Sequence, residues 1–257
     1  MTTGTKARAV ARATMLVLKA NPQGVMSVQE GLRIEQEIKE IKAVLRENHD
    51  VVDLREEGAV RLRDLSAYLL RHRPVLLHFS GHGTEEGELV LEKYTSLEEL
   101  RAAVHSPIGL AAGADYIEYA VIARILAEYR ATLRCVVLNA SSTERLAEAI
   151  CAEIPCAIGM RGPVNDFLAI RFAEIFYRAL TIGESVGLAF RKARNDILSH
   201  RNARAETFQL KSKTGVNPDN IFLIDVNRTK TVKIFYCYAR KDVVYCHLLD
   251  ILARFCQ

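Results

Sequence analysis

Several things are missing from this chain, and each absence narrows what it can be. None of its six cysteines (135, 151, 156, 237, 246 and 256) stands in a C-x-x-C pair, which excludes the common zinc-binding and dithiol redox motifs. No apolar run approaches the ~20 residues that a membrane helix needs; the longest are the length of a strand. The basic N-terminus (Lys6, Arg8, Arg12) is not followed by an apolar core with a cleavage site, so no secretory leader is read there, and unpaired thiols fit a reducing, cytoplasmic setting. Residues Lys19-Ala20-Asn21-Pro22-Gln23-Gly24 offer one glycine after the first strand, where a dinucleotide fingerprint needs three. There are no internal repeats and no low-complexity segments. Nor is charge strongly biased: +4 over 257 residues, spread along the chain, reads as a solvated surface rather than a nucleic-acid footprint.

What is present is a globular core. Apolar residues make up 49% and charged residues 26% of the chain, ordinary for a single domain with a sizeable interior. Strand and helix signals alternate. Met15–Leu18 reads as a buried strand, and Ile34, Ile38, Ile41 and Leu45 fall on one helix face. Val51–Leu54 is a short strand, Leu62–Leu70 a helix, and Val75–Phe79 a strand entered from Pro74. Glu88–Glu92 is a hairpin arm, and Leu97–Tyr129 reads as mostly helix. Cys135–Leu138 and Cys156–Gly159 are strands separated by a helix over Thr143–Ile154. Helices over Ala169–Leu180 and Ser185–Leu198 follow, and Ile221–Ile224 is expected to close the sheet. This alternation predicts an α/β fold, a mainly parallel sheet with helices on both faces.

Chemistry should collect where parallel strands end. Residues 76–83 read Leu-Leu-His-Phe-Ser-Gly-His-Gly, a strand running into a turn where His82 lies between two glycines. Residues 135–142 read Cys-Val-Val-Leu-Asn-Ala-Ser-Ser, a second strand ending in small polar residues. A histidine at one tip and a hydroxyl or thiol at the next is the raw material of a base–nucleophile dyad. An unperturbed imidazole titrates near about 6.5 and can both take and give a proton. His78, inside its strand and facing a helix, reads as a satisfied core residue instead.

Those two runs, with Ala157-Ile158-Gly159-Met160-Arg161, Ala169-Ile170-Arg171-Phe172-Ala173 and Phe176-Tyr177-Arg178-Ala179-Leu180, resemble the CHAT domain. So does the opening, Leu16 to Pro22 and Glu35 to Ile41. That domain is a bacterial branch of the caspase–separase cysteine peptidases. The resemblance covers residues 12–225 and implies a caspase-like three-layer α/β/α sandwich. It also implies a Cys-His endopeptidase with no metal or cofactor, acting on a protein or peptide substrate. Family members serve as antiviral-defence or cell-death effectors, switched on by a partner or sensor protein. In the family the second turn reads Leu-Asn-Ala-Cys, the cysteine being the nucleophile. Here the matching residue is Ser141.

A thiolate beside imidazolium is a strong nucleophile at neutral pH because its pKa falls well below about 8.5. A serine hydroxyl needs a base oriented by a third group, and no acidic partner for His82 is evident apart from Glu85 and Glu86 in the following loop. Ser141 therefore reads as a disabled nucleophile: either a cysteine-to-serine change that traps an uncleaved state, or a natural pseudo-protease that binds a peptide or partner. The oxyanion-hole candidates are the amides of Gly83 and Ser141. Asn139 shapes the turn or merely bonds its own backbone, and with Met160 it is a candidate for substrate binding. Asp166 is either the base of a pocket for a basic residue or a helix N-cap, and Asp115 is a more distant pocket candidate.

A polar linker over 226–232 leads to residues 233–257. Lys233-Ile234-Phe235-Tyr236-Cys237-Tyr238-Ala239-Arg240-Lys241-Asp242 resembles the first strand and turn of a TIR domain, too short a piece to carry that domain's chemistry. An edge strand and helix packed on the main domain is the alternative.

Overall fold

The computed structural model describes residues 12–22, 28–47, 51–93, 113–163, 166–199 and 207–226. The 227–257 tail and most of the 226–232 linker lie outside them, as does the Leu97–Gly113 part of the stretch expected to be helical, apart from its last residue.

A six-stranded sheet in the order β2-β1-β3-β7-β8-β9 forms the middle layer. Its members are β1 (Ala13–Lys19), β2 (Val52–Glu57), β3 (Leu76–Ser80), β7 (Cys135–Asn139), β8 (Cys156–Met160) and β9 (Phe208–Ser212). The first five in that order run parallel, and β9 is antiparallel to β8. The central strands are apolar almost without interruption because both faces are covered. Met15, Val17, Leu76, Val137 and Ile158 point to one side, and Leu16, Leu18, Leu77, Phe79 and Val136 to the other.

Helices α1 (Val28–Arg46), α5 (Asp166–Thr181) and α6 (Val186–Leu198) cover the first face. On α1 the Ile34, Ile38, Ile41 and Leu45 stripe is buried as its spacing predicts. On α5, Phe172 stacks on Phe208 at 4.2 Å. The other face is covered by α2 (Leu62–His72), α3 (Tyr119–Ala127) and α4 (Glu144–Ile150) through Leu65, Leu69, Ile122, Leu126, Leu146 and Ile150. Each such side chain contributes about 1.5–3 kcal/mol relative to leaving it exposed. The result is a mainly parallel α/β/α sandwich, consistent with the caspase-like expectation.

Two expectations need correction. The sheet closes with β9, not with Ile221–Ile224. That segment buries Ile221 and Leu223 while exposing Phe222, which imitates a strand, but it bends at Leu223 and its carbonyl at Ile221 accepts from Val186 N at the start of α6. The run ending at Tyr129 also contains a strand, β6 (Ala114–Glu118), ahead of α3. With β4 (His82–Gly83) and β5 (Glu88–Glu92) it forms a separate antiparallel sheet in the order β4-β5-β6.

Candidate active site

The carboxyl ends of β3, β7 and β8 open into a cleft of about 220 Å³ whose lining includes His82, Asn139, Ser141 and Met160. Its two walls come from α1, through Arg33, Ile34 and Glu37, and from α5, through Ala169 and Ile170. Four residues picked from sequence thus share one crevice, where the topology of parallel strands puts it. Asp166 is the first residue of α5; its side chain lies outside the described residues. Asp115 sits in the other sheet, opposite Leu91, and is not part of the cleft lining.

The turn carrying the histidine is held on both sides. Gly81 N donates to Asn139 O at 3.2 Å, joining the ends of β3 and β7. His82 and Gly83 then pair antiparallel with Val90 and Leu89. Gly83 packs against the second turn so closely that a β-carbon there would stand 2.3 Å from Ser141 O. Only glycine allows this approach.

The serine turn is more constrained still. Ser142 takes φ = 58°, a left-handed value uncommon for a residue with a side chain. Its carbonyl accepts a 3.1 Å hydrogen bond from the Tyr119 hydroxyl, and its N–H donates to Gly162 O at 3.3 Å. Burial pushes the Tyr119 phenol up to about 12, so it remains a donor at neutral pH. The Thr143 hydroxyl donates to Ala140 O at 2.8 Å and accepts from Met160 N at 3.1 Å. Those contacts fix position 141 between β7 and α4, where it lines the cleft.

Just beyond, Glu144 accepts from Arg161 Nε and Nη2 at 2.6 and 2.7 Å and from Lys211 Nζ at 2.9 Å. The Arg161 bonds first, then Lys211, pull the Glu144 carboxyl down to about 2. This pins the start of α4 to β9 and to the residue after β8. In the α1 wall of the cleft, Glu37 accepts a 2.6 Å hydrogen bond from Ser80 Oγ and lies 3.2 Å from His78 Nε2. His78 is fully buried, with Nδ1 2.8 Å from the Tyr177 hydroxyl, so it is the core histidine its strand position suggests.

The cysteines described are poor nucleophiles. Burial pushes the Cys135 thiol well up and the Cys151 and Cys156 thiols to about 12. All three are buried and none lines the cleft. Among the described residues no cluster of His, Cys, Asp and Glu is arranged to hold a metal, and no helix is long and apolar enough to cross a membrane.

Sequence reasoning missed Glu37, Ser80, Tyr119 and Thr143. For Glu37 a clue was available: it is three residues after Ile34 and one before Ile38, a carboxylate on the buried stripe of an amphipathic helix. Tyr119 gave none, because the strand ahead of α3 hid inside a helical reading.

Compared with known proteins, the family model described as the CHAT domain matches residues 2–220. No curated protein matches the chain.

Proposed function

The chain belongs to the CHAT domain family, and on that premise we propose that the cleft is a caspase-like endopeptidase site in which Ser141 occupies the nucleophile's place. The observation that carries this is the placement of His82 and Ser141 on neighbouring turns lining one cleft, with Gly83 packed onto Ser141 O.

In the cysteine form the Sγ thiolate at position 141 attacks the scissile carbonyl carbon, and the C=O π pair moves to oxygen. The Gly83 and Ser141 N–H groups are the donors for that oxyanion. His82, protonated, gives its proton to the departing amine nitrogen, and the C–N bond breaks to leave an acyl-enzyme. His82 then takes a proton from water, whose oxygen attacks the acyl carbon and releases the carboxylate product and the thiolate. No metal or cofactor enters these steps. With serine at 141 the first step lacks a thiolate, and the chain is inactive or very slow.

The substrate is a protein or peptide, with Asn139 and Met160 against it and Asp166 either favouring a basic residue before the bond or serving only as a helix cap. The setting is a cytoplasmic bacterial defence or cell-death response, triggered by an activating partner or sensor, with residues 12–225 as the peptidase domain and 233–257 as a TIR-like fragment. Serine in place of cysteine also favours a second reading, a natural pseudo-protease that binds a peptide or partner in the same cleft.

The test is cleavage of a peptide library by the chain and by its Ser141→Cys form. Cleavage by the cysteine form at a rate about a thousandfold above the serine form, lost again in Ser141→Cys with His82→Ala, supports the peptidase. No cleavage by either, with a peptide retained in the cleft, supports the binding module.

A further inference from the structure

Among the described residues Glu37 is the sole acidic side chain in the core, 2% exposed. It sits on the apolar stripe of α1, where leucine would avoid the cost of burying a carboxylate. Its surroundings show what that carboxyl group is used for. One oxygen takes the 2.6 Å hydrogen bond from Ser80 Oγ, a charge-assisted contact of the strong kind. The other lies 3.2 Å from His78 Nε2, and His78 Nδ1 is 2.8 Å from the Tyr177 hydroxyl. The four side chains therefore run from α5 through β3 to α1 and back to the last residue of β3. The two helices that contribute to this chain, α5 and α1, are the two walls of the cleft.

Ser80 is where the chain meets the dyad. Its carbonyl accepts from Ala20 N at 3.1 Å, and its hydroxyl is fixed by Glu37. Two residues later comes His82, and the positions on either side of it, Gly81 and Gly83, have no side chain with which to anchor the turn. Their backbones are held, Gly81 by Asn139 O and Gly83 in register with Leu89, but neither adds a side-chain contact. On the entry side of the turn, Ser80 is the side-chain anchor.

We propose that Glu37 is a positioning residue for His82: by holding the Ser80 hydroxyl it fixes the exit of β3 and so aims the imidazole at position 141. The proposal rests on the peptidase reading for the identity of the reacting pair.

The experiment needs no peptide substrate. In the Ser141→Cys chain, the rate of iodoacetamide alkylation at position 141 is followed by peptide mapping at pH 7, alongside the thermal midpoint. His82→Ala in that background should lower the rate about tenfold or more, since the thiolate loses its imidazolium partner. Glu37→Leu should lower it comparably; it also strips the buried Ser80 hydroxyl of its acceptor, so its thermal midpoint should fall too, and Ser80→Ala separates the two effects. Ser80→Ala should lower it at least about threefold. Glu37→Gln keeps an oxygen that can accept from Ser80, and should restore the rate to within about twofold of the parent. A purely structural Glu37 predicts instead that reactivity follows the thermal midpoint.

Parental rates in both Glu37→Leu and Ser80→Ala, with His82→Ala impaired, would overturn the positioning role and leave the peptidase reading standing. A rate that His82→Ala does not change would overturn the dyad itself, and the aiming of His82 with it. Should Glu37→Leu fail to fold, Ser80→Ala, which removes one hydroxyl, decides alone.

Discussion

The α-carbon of Gly83 rests against the carbonyl oxygen of Ser141: a β-carbon at position 83 would lie 2.3 Å from that oxygen and 3.0 Å from the Tyr119 hydroxyl. The His82 turn and the Ser141 turn are thus in van der Waals contact, and their separation is set by the absence of one methyl group.

Gly83→Ala should therefore push the two turns apart. The expected cost is about 1–3 kcal/mol, as for other overpacked sites, seen as a lower urea midpoint. In the Ser141→Cys background the alkylation rate at position 141 should fall with it. Parental values for both would mean that the contact is not limiting.

Ser142 gives a second handle on the same turn. Its φ of 58° is easy for glycine and hard for a β-branched residue. Ser142→Gly is expected to be neutral or slightly stabilising, whereas Ser142→Val should lose at least about 1 kcal/mol. Thermal melts of the pair check this, and equal midpoints would argue against the strained backbone.

Tyr119→Phe removes the hydroxyl that bonds Ser142 O and leaves the ring in place. A loss of about 1 kcal/mol is expected from one neutral hydrogen bond, measured in urea.

Glu144 predicts a pH dependence with a definite sign. Its carboxyl sits at about 2 in the fold against an ordinary 4.5. A depressed acid stabilises above its unfolded value and loses that contribution as pH falls through the folded one. The chain should exceed Glu144→Gln by about 1 kcal/mol at neutral pH, a figure kept small because exposed Arg161 is screened by solvent. The gap should close as pH falls from about 4.5 to about 2. Urea midpoints across that range test it, and a gap that widened in acid would reverse the argument.

The thiols at 135, 151 and 156 should resist alkylation until the protein unfolds, because burial keeps them protonated. Peptide mapping after iodoacetamide treatment, with and without urea, reads this directly. Labelling of any of the three in the native protein would contradict their placement.

Much of the fold was legible from local pattern. The apolar runs at Met15–Leu18 and Cys135–Leu138 lie within observed strands, and the run at Val75–Phe79 does so from Leu76 onward, since a strand covered on both faces must be apolar throughout. The α1 stripe also follows from spacing, whereas Ser185, read only as the first residue of its helix, is the N-cap whose hydroxyl accepts from Leu188 N. The edges were harder. In β9, Phe208 is buried while Gln209, Leu210 and Lys211 are only partly covered. Ile221–Ile224 showed the cleaner alternation without pairing to a neighbour. Tyr116 in β6 is about half exposed, so the burial pattern that marks a strand is blurred there.

The sequence by itself determined the strand tips: which residues could hold a proton or attack a carbonyl, and that His82 and Ser141 each follow an apolar strand. Only the tertiary structure decided what surrounds them. Glu37 lies 43 positions from Ser80 and His78 lies 99 from Tyr177 along the chain, and Tyr119 reaches Ser142 across 23. Strand and helix periodicity acts over a few residues, while a buried carboxylate or a clamping phenol is placed by packing between elements far apart in sequence. A single-residue pattern carries no record of that partner.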